Sequence, residues 1–315
     1  MSGMRMAVIG AILLVLLALA ACGPAATPTP VPTSTPTQAP TPTSTPTPTP
    51  APTPAPPKPA NPDVILATTT STADTGLLDV LLPDFKARTG YVVKPIAVGS
   101  GAALAMGQRG EADVLLAHAP TSELPLVQDG TVTERLLVMH NSYAIVGPAS
   151  DPAGIRGMTV AVDAMKRIAD KQALFISRGD NSGTHQMEKS LWRKAGVAPS
   201  GAWYQEAGQG MGATLNIASE KGGYTLTDRG TYLAQKKNLS LEALVQGDPA
   251  LLNIYHVMPV NTAKFPKVNA EGGKAFAAYI VSPRAQAIIK DFGVDKFGEP
   301  LFIPDAGKKE EELAR

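Results

Sequence analysis

A polar, glycine-containing stretch stands directly ahead of a helix-forming run: Arg178-Gly179-Asp180-Asn181-Ser182-Gly183-Thr184-His185. Behind it, Met187, Leu191 and Ala195 recur at four-residue spacing with Trp192 alongside, which predicts an amphipathic helix. Glycine lets backbone amides approach a ligand closely, and the start of a helix directs free N–H groups and a positive dipole end at the same point. The stretch is therefore typical of a strand-to-helix junction that holds an oxyanion.

Two further junctions carry the same chemistry of hydroxyls and uncovered amides, with scarcely any carboxylates. They read Ala67-Thr68-Thr69-Thr70-Ser71-Thr72 and Val98-Gly99-Ser100-Gly101-Ala102. Each follows a strand-like run, and in α/β sheets ligands lie beyond the carboxyl ends of the strands. The three junctions together predict a pocket for a small, fully ionised anion.

Strand-like and helical runs alternate along the body of the chain, which spans about Asp63 to Arg315. This alternation predicts an α/β fold with a mainly parallel sheet, and the body is long enough for two lobes. In order, the pattern predicts a strand at Val64–Ala67, a helix from Leu77 to Phe85 that stops near Gly90, a strand at Val92–Val98, a helix at Ala102–Gln108, a strand at Ala112–Ala117, a loop at Asp151–Gly157, a restart of the alternation at Met158–Val162, the helix after Gly183, a strand at Leu251–Val260, and helices at Gly273–Val281 and Pro283–Phe292.

The N-terminus has the pattern of a secretory signal with a lipoprotein-type cleavage site. Arg5 precedes the apolar run Met6–Ala21, which is too short for a comfortable membrane span, and Cys22 follows it. Cys22 is the only cysteine in 315 residues, so an intramolecular disulfide is excluded, and acylation of its thiol is favoured over an ordinary cleaved signal. We predict a signal peptide over 1–21 and an extracytoplasmic protein held to the bacterial cell membrane by a lipid anchor.

Residues 22–62 are predicted to form a lipid-anchored linker rich in proline and threonine. From Pro24 to Pro62 the chain holds 16 of its 29 prolines and a single charged residue, Lys58. Such a composition cannot form a core and is typical of an extended, polyproline-II-like spacer.

Composition and spacing argue against several other classes of function. The net charge of +1, without a cluster of Lys and Arg, gives nucleic-acid binding little electrostatic support, and aromatic residues are few. The histidines show no metal-ligand spacing, so neither a metal nor a cofactor is predicted. Asp180, Ser182 and His185 are too close at the start of one helix to align as a hydrolytic triad, and there is no Gly-x-Ser-x-Gly motif. We therefore predict that the chain is not an enzyme.

Five segments, in order, resemble the substrate-binding proteins of tungstate ABC transporters. They are Ala67–Thr72 with Asp74–Leu78, Val98–Ala102, Ala112–Pro120, Arg178–His185 and Gly222–Arg229. The resemblance covers essentially the whole body and implies a two-lobed periplasmic-binding-protein fold of type II, with the ligand in the cleft between the lobes. It also implies a monomer that binds tungstate or molybdate and delivers it to the permease and ATPase of an ABC importer.

The resemblance further implies a division into lobes and a set of ligand-binding residues. The chain would cross near Asn141–Tyr143 and near Asn253–Val257, which gives a first lobe of 63–142 plus 256–315 and a second lobe of 143–255. The implied ligand-binding residues are Thr70, Ser71 and Ser100 from the first lobe and Arg178, Ser182, Gly183 and Thr184 from the second. Taken singly, these residues have structural alternatives, because Ser182 or Asn181 can cap the following helix and Arg178 can form a local ion pair with Asp180.

Other oxyanions stay open as ligands, phosphate before sulfate. Phosphate-binding proteins carry an Arg-x-Asp-x-Ser-Gly-Thr segment similar to 178–184, and they place an aspartate where His118 stands. That carboxylate would accept a hydrogen bond from the proton of phosphate and repel a fully ionised anion, so its absence favours tungstate and molybdate. His118 itself is expected to be structural or at the rim of the cleft, and Tyr224 with residues 225–229 is expected to shape the cleft.

Overall fold

The computed structural model of the protein describes residues 59–313. The predicted signal peptide (1–21), the acylation site at Cys22 and all but the last residues of the predicted linker lie outside the described residues. Within 59–313 the structure contains no helix that is both long enough and apolar enough to cross a membrane.

The first part of the body contains the predicted strands and helices together with two short helices that were not predicted. In order, the elements are β1 (Asp63–Thr69), α1 (Thr70–Asp74), α2 (Leu77–Thr89), β2 (Val92–Val98), α3 (Ser100–Gln108), β3 (Val114–Ala117) and α4 (Pro120–Gln128). The apolar side of α2 is buried as predicted, and the helix ends at Gly90, whose φ of 77° is left-handed.

A long strand that the sequence patterns did not indicate follows, β4 (Leu136–Pro148). After it the chain forms α5 (Ala161–Asp170), β5 (Phe175–Ser177), α6 (Gly183–Lys194), β6 (Tyr204–Glu206), α7 (Met211–Lys221), β7 (Thr225–Asp228), α8 (Arg229–Gln235) and β8 (Leu241–Val245). Helix α6 is the predicted helix behind the polar stretch, and Leu191 and Trp192 are buried on it.

The alternation restarts with a helix in this part. The run Met158–Val162 was expected to restart it, and the structure forms no strand over these residues but begins α5 at Ala161. The buried residues Ala161, Ala164, Met165 and Ile168 recur at helical spacing, so a helical apolar face overrides the short extended run.

The last part of the body confirms the predicted strand and two helices. It consists of β9 (Leu252–Pro259), α9 (Ala270–Ile280), α10 (Pro283–Asp291), α11 (Val294–Phe297) and β10 (Ile303–Pro304). Three short 3₁₀ turns lie at Lys236–Asn238, Pro249–Leu251 and Glu310–Glu312.

The strands form a mixed eight-stranded sheet and a separate two-stranded pair. β1 pairs in parallel with β2 and β3, and β5 pairs in parallel with β6. In contrast, β4 and β9 are antiparallel to each other and to their remaining partners β3, β7, β8 and β10. The α/β class is confirmed, but the prediction of a mainly parallel sheet is wrong, because the two strands that link the halves of the body run in opposite directions.

Two groups of buried apolar residues divide the body, and β4 and β9 lead from one to the other. One group lies within 64–139 and 255–302, and the other within 143–251. Along β4 the pairing changes from β9 at Ser142 to β7 at Tyr143. Residues 252–255, which the sequence analysis assigns to the second lobe, pair with β4 over 139–142 on the first-lobe side. The boundaries of the lobes stay a prediction.

Candidate anion-binding site

The three polar junctions meet where β1, β2 and β5 end. A Cβ atom on Gly101 would lie 2.9 Å from the carbonyl oxygen of Asn181, and one on Gly99 would lie 3.3 Å from the carbonyl oxygen of Asp180. Since real Cβ atoms essentially never approach another atom within 3.0 Å, only glycine permits this contact at position 101. The loop after β2 and the loop after β5 therefore press against each other across the cleft.

Buried polar atoms without partners are concentrated at this contact. Over residues 59–313, eight buried side-chain nitrogen or oxygen atoms have no hydrogen-bond partner, and four of them are Ser100 Oγ, Thr184 Oγ1 and the Nε and Nη1 atoms of Arg178. Leaving such a group unsatisfied costs about 1–3 kcal/mol. All four can donate a hydrogen bond, so the site is suited to a ligand that offers acceptors.

Arg178 forms a local ion pair and also contributes unpartnered nitrogen atoms to the cleft. Its side chain is 1% exposed, and its Nη2 atom donates to Thr70 Oγ1 at 3.2 Å and to the carboxylate of Asp180. The local ion pair that the sequence left open is thus present. It engages only one of the three guanidinium nitrogens, which leaves Nε and Nη1 directed elsewhere.

The N-terminus of α6 combines capping with free amides. Ser182 is the N-cap, because its Oγ accepts a hydrogen bond from the N–H of His185 at 3.2 Å, so the capping alternative is correct for Ser182. An oxygen that accepts still has its own proton to donate. The N–H groups of Gly183 and Thr184 precede the first intrahelical bond, which runs from Gln186 N to Ser182 O.

Thr70 and Ser71 lie on the opposite wall. Thr69 caps the short helix α1 and accepts from Thr72 N at 3.3 Å. Ser71 Oγ is fully buried and lies 3.1 Å from both Thr69 Oγ1 and His118 Nε2. Of the first-lobe residues predicted for the site, Ser100 is therefore unpartnered, Thr70 accepts from Arg178, and Ser71 is engaged with His118.

His118, expected from the sequence to be structural or at the rim of the cleft, is a buried residue that contacts Ser71. It is 2% exposed, and its Nδ1 atom lies 2.8 Å from Asn253 Oδ1 and 3.1 Å from the hydroxyl of Tyr143. Gly183 packs directly on it, since a Cβ there would lie 2.6 Å from the carbonyl oxygen of His118. Burial, and next the nearby Arg178 charge, lower the pKa of His118 to about 4, so the ring is neutral at pH 7.

Tyr224 belongs to the second-lobe core, so the expectation that it shapes the cleft is wrong. Its hydroxyl donates to Asp151 Oδ1 at 2.7 Å and accepts from Ala153 N, and its ring packs on Gly147. From the following segment, Asp228 caps α8 by accepting from the N–H of Thr231 at 2.8 Å.

The two cores, the linking strands and the polar cleft define a solute-binding protein of the periplasmic-binding-protein class, and a sequence profile described as a PBP superfamily domain matches residues 36–284. Over 251 residues the chain is 49% identical to the tungstate-binding protein TupA of Peptoclostridium acidaminophilum, covering 79% of this chain and 88% of that protein. The chain belongs to the TupA-type family of tungstate-binding proteins.

Two solved structures agree with this assignment. The tungstate-binding protein TupA of Desulfovibrio alaskensis G20 superposes with a TM-score of 0.65 at 47% identity, covering 78% of this chain and 99% of that one. The tungstate ABC transporter structure from Geobacter sulfurreducens gives a TM-score of 0.68 at 48% identity, covering 73% and 98%. These matches confirm the resemblance and the two-lobed fold class. Because the family consists of solute-binding proteins, they also confirm that the chain is not an enzyme.

Proposed function

We propose that this protein captures tungstate, or the closely similar molybdate, outside the cytoplasm and delivers it to an ABC importer. The observation that carries the proposal is the set of four buried, unpartnered donor atoms on Ser100, Arg178 and Thr184, in a chain of the tungstate-binding family. A tetrahedral anion without protons offers only hydrogen-bond acceptors, so each of its oxygens can accept from these donors.

The proposed ligand contacts come from both walls of the cleft. They comprise the hydroxyls of Thr70, Ser71, Ser100, Ser182 and Thr184, the guanidinium of Arg178 and the backbone N–H of Gly183. A hydrogen bond to a charged group contributes about 1.5–3 kcal/mol, so six or seven give a gross of about 10–20 kcal/mol before the costs of closing the lobes and desolvating the anion. Nanomolar affinity needs about 12 kcal/mol.

Phosphate is the alternative that the site chemistry disfavours. At neutral pH it retains a proton and benefits from an acceptor carboxylate, but the neutral ring of His118 stands at the position that the resemblance links to an aspartate. The carboxylate of Asp180, which pairs with Arg178, also accepts from Ser182 N. A mispaired buried group costs about 1–3 kcal/mol. We expect tungstate and molybdate to bind at least a hundredfold more tightly than phosphate.

The anchoring and partners of the protein belong to the same proposal. Acylation at Cys22 would hold the protein at the membrane, and the linker over 22–62 would let the body reach the permease of the importer, which its ATPase drives. The division into a first lobe of 63–142 plus 256–315 and a second of 143–255, and a monomeric state, are part of this proposal.

Thermal unfolding of residues 59–315 with tungstate, molybdate, sulfate and phosphate tests the proposal. A ligand that binds only the native state stabilises it by about 4 kcal/mol at a thousandfold excess over Kd, so micromolar tungstate should raise the melting temperature strongly. Sulfate at the same concentration should do little, and competition calorimetry measures the preference over phosphate. An unchanged melting temperature with both tungstate and molybdate would reject the oxyanion assignment.

A further inference from the structure

A chain of hydrogen bonds leads from Asp228, in the second-lobe part of the chain, to Ser71 in the cleft. Asn141 Nδ2 donates to Asp228 Oδ1 at 3.5 Å, and Asn253 Nδ2 donates to Asn141 Oδ1 at 2.7 Å. Asn253 Oδ1 then faces His118 Nδ1 at 2.8 Å, and His118 Nε2 faces Ser71 Oγ at 3.1 Å. The proposed ligand site thus has a polar network behind it.

The orientation of the Asn141 and Asn253 side-chain amides follows from the Asp228 end of this series of hydrogen bonds. Asp228 Oδ1 accepts from the N–H of Thr231, so it is an acceptor and the Asn141 atom that faces it is the NH₂ group. Asn141 therefore presents its oxygen to Asn253, whose NH₂ group also reaches the hydroxyl of Tyr255 at 3.0 Å. Asn253 must then present its oxygen to His118.

The tautomer of His118 follows in turn. An amide oxygen can only accept, so the proton of the neutral ring lies on Nδ1 and Nε2 carries a lone pair. The hydroxyl proton of Ser71 is consequently directed at Nε2, away from the ligand, and the Thr69 hydroxyl, 3.1 Å away, is the donor in its contact with Ser71 Oγ. In this state Ser71 offers only lone pairs to the cleft, whereas a fully ionised anion needs a donor.

The groups around His118 explain why the ring is neutral without a ligand and why an anion changes that. Burial is the largest cause that lowers the pKa of His118, and the Arg178 charge is the next. The hydrogen bond with Asn253 and the charges of Glu123 on α4 and Asp180 favour protonation. Two tyrosines also face the ring: the hydroxyl of Tyr143 contacts Nδ1, and the ring of Tyr255 stacks on that of His118 with centroids 4.7 Å apart. A dianion against Nε and Nη1 of Arg178 would cancel the opposing charge, and protonated Nε2 would donate to Ser71 Oγ.

We propose that His118 takes up a proton when the anion binds and thereby turns the Ser71 hydroxyl from His118 towards the ligand. His118 is a positioning residue in this scheme, since it acts through Ser71 and does not itself touch the anion. The inference rests on the proposed function, because it concerns the same site and the same fully ionised ligand.

Calorimetry with tungstate in pairs of buffers of different ionisation enthalpy measures the protons taken up on binding. We expect uptake to approach one proton per site at pH 6 and to decline towards pH 8. Where uptake is complete, the affinity for tungstate should weaken by up to tenfold for each unit by which the pH rises. At these pH values tungstate is fully ionised, so it contributes no protons of its own. Tungstate that binds at pH 6 without proton uptake overturns the inference but leaves the proposed function intact. If neither tungstate nor molybdate binds, both fail.

Long-range ¹H–¹⁵N spectra of the histidine rings identify the group that titrates. Free protein should show His118 with its proton on Nδ1, and tungstate should convert it to the doubly protonated form. His185 is an internal reference of the opposite tautomer, because its Nδ1 accepts from the N–H of Asn181 at 2.9 Å. A His118 ring that keeps its free-state spectrum when tungstate is bound overturns the inference.

The variant His118→Gln provides a second readout, since its amide NH₂ can donate to Ser71 permanently. We expect it to bind tungstate with no proton uptake and with an affinity nearly independent of pH between 6 and 8. The matched variant His140→Gln removes a histidine that pairs with Asp305, and it should keep the wild-type uptake. Unchanged uptake in folded His118→Gln overturns the inference, and if that variant does not fold, the wild-type measurements decide.

Discussion

Arg178→Ala is the substitution that tests the site most directly. The guanidinium supplies the one formal positive charge that we assign to the ligand, through the buried Nε and Nη1 atoms that have no partner over residues 59–313. Two hydrogen bonds from a charged group contribute about 3–6 kcal/mol together. The expected loss of tungstate affinity is therefore about 100- to 10,000-fold, at about 1.4 kcal/mol for each factor of ten.

Calorimetric titration of tungstate into purified variants measures this loss. Arg178→Lys should recover only part of the affinity, because an ammonium keeps the charge but lacks the planar fork that reaches two oxygens. Arg109→Ala is the matched control, since it also removes one arginine but from an exposed pair with Glu111. It should bind as the wild type does.

The ligand-free melting temperature separates binding from folding. Asp180 loses its charged partner in Arg178→Ala but still accepts from Ser182 N, and its side chain is 17% exposed and can be solvated, so we expect a small decrease in the melting temperature. Wild-type affinity in an alanine variant that melts normally would show that Arg178 serves only Asp180 and Thr70. The assignment of the cleft as an anion site would then lose its central residue.

Three further predictions concern anchoring and stability. Cys22→Ala should release the protein from the membrane fraction without changing tungstate affinity, and a variant that remains in that fraction would exclude a single lipid anchor. Glu123→Gln should lower the free energy of unfolding in urea by about 3 kcal/mol, because it leaves Arg135 short of a buried counter-charge, whereas Glu111→Gln in an exposed pair should change little; equal effects would contradict this reasoning. Burial raises the pKa of Glu188 to about 7, so the stabilisation from its protonated form is complete below about pH 4.5 and is lost as pH rises through 7. The melting temperature should fall accordingly between pH 5 and 8, and Glu188→Gln should flatten that dependence; an unchanged slope would contradict it.

Local chemistry explains what the sequence predicted about the fold. Strand β2 was predicted to the residue, although Lys94 and Pro95 interrupt its apolar run, and helix α2, with its apolar face and glycine stop, was predicted nearly to the residue. Strand β4 was missed because His140, Asn141 and Ser142 interrupt its apolar pattern where it leaves one core and enters the other. The prediction of a mainly parallel sheet was wrong because the alternation of strands and helices along the chain carries no information on the direction of the linking strands β4 and β9.

The residues of the site likewise divide into those that the sequence predicted and those that it did not. Three junctions were predicted because each places its hydroxyls within one short segment, which in two of them also contains glycines. The network behind Ser71 was not, since it joins His118 to residues 47 and 135 positions away, and pairing at that distance depends on the tertiary fold. The local signals were the position of His118 directly after β3 and its place where phosphate-binding proteins carry an aspartate.

The linking strand β4 also constrains how the cleft opens. Its hydrogen-bonded neighbours change at Ser142 and Tyr143 without a break in the strand, and β9 runs beside it. A pair of hydrogen-bonded strands twists readily but does not stretch. The lobes can therefore rotate about β4 and β9 while the distance between the points where these strands enter each lobe stays fixed. Release of a bound solute then depends on a rotation of domains, a motion of microseconds to milliseconds, rather than on the unfolding of a loop.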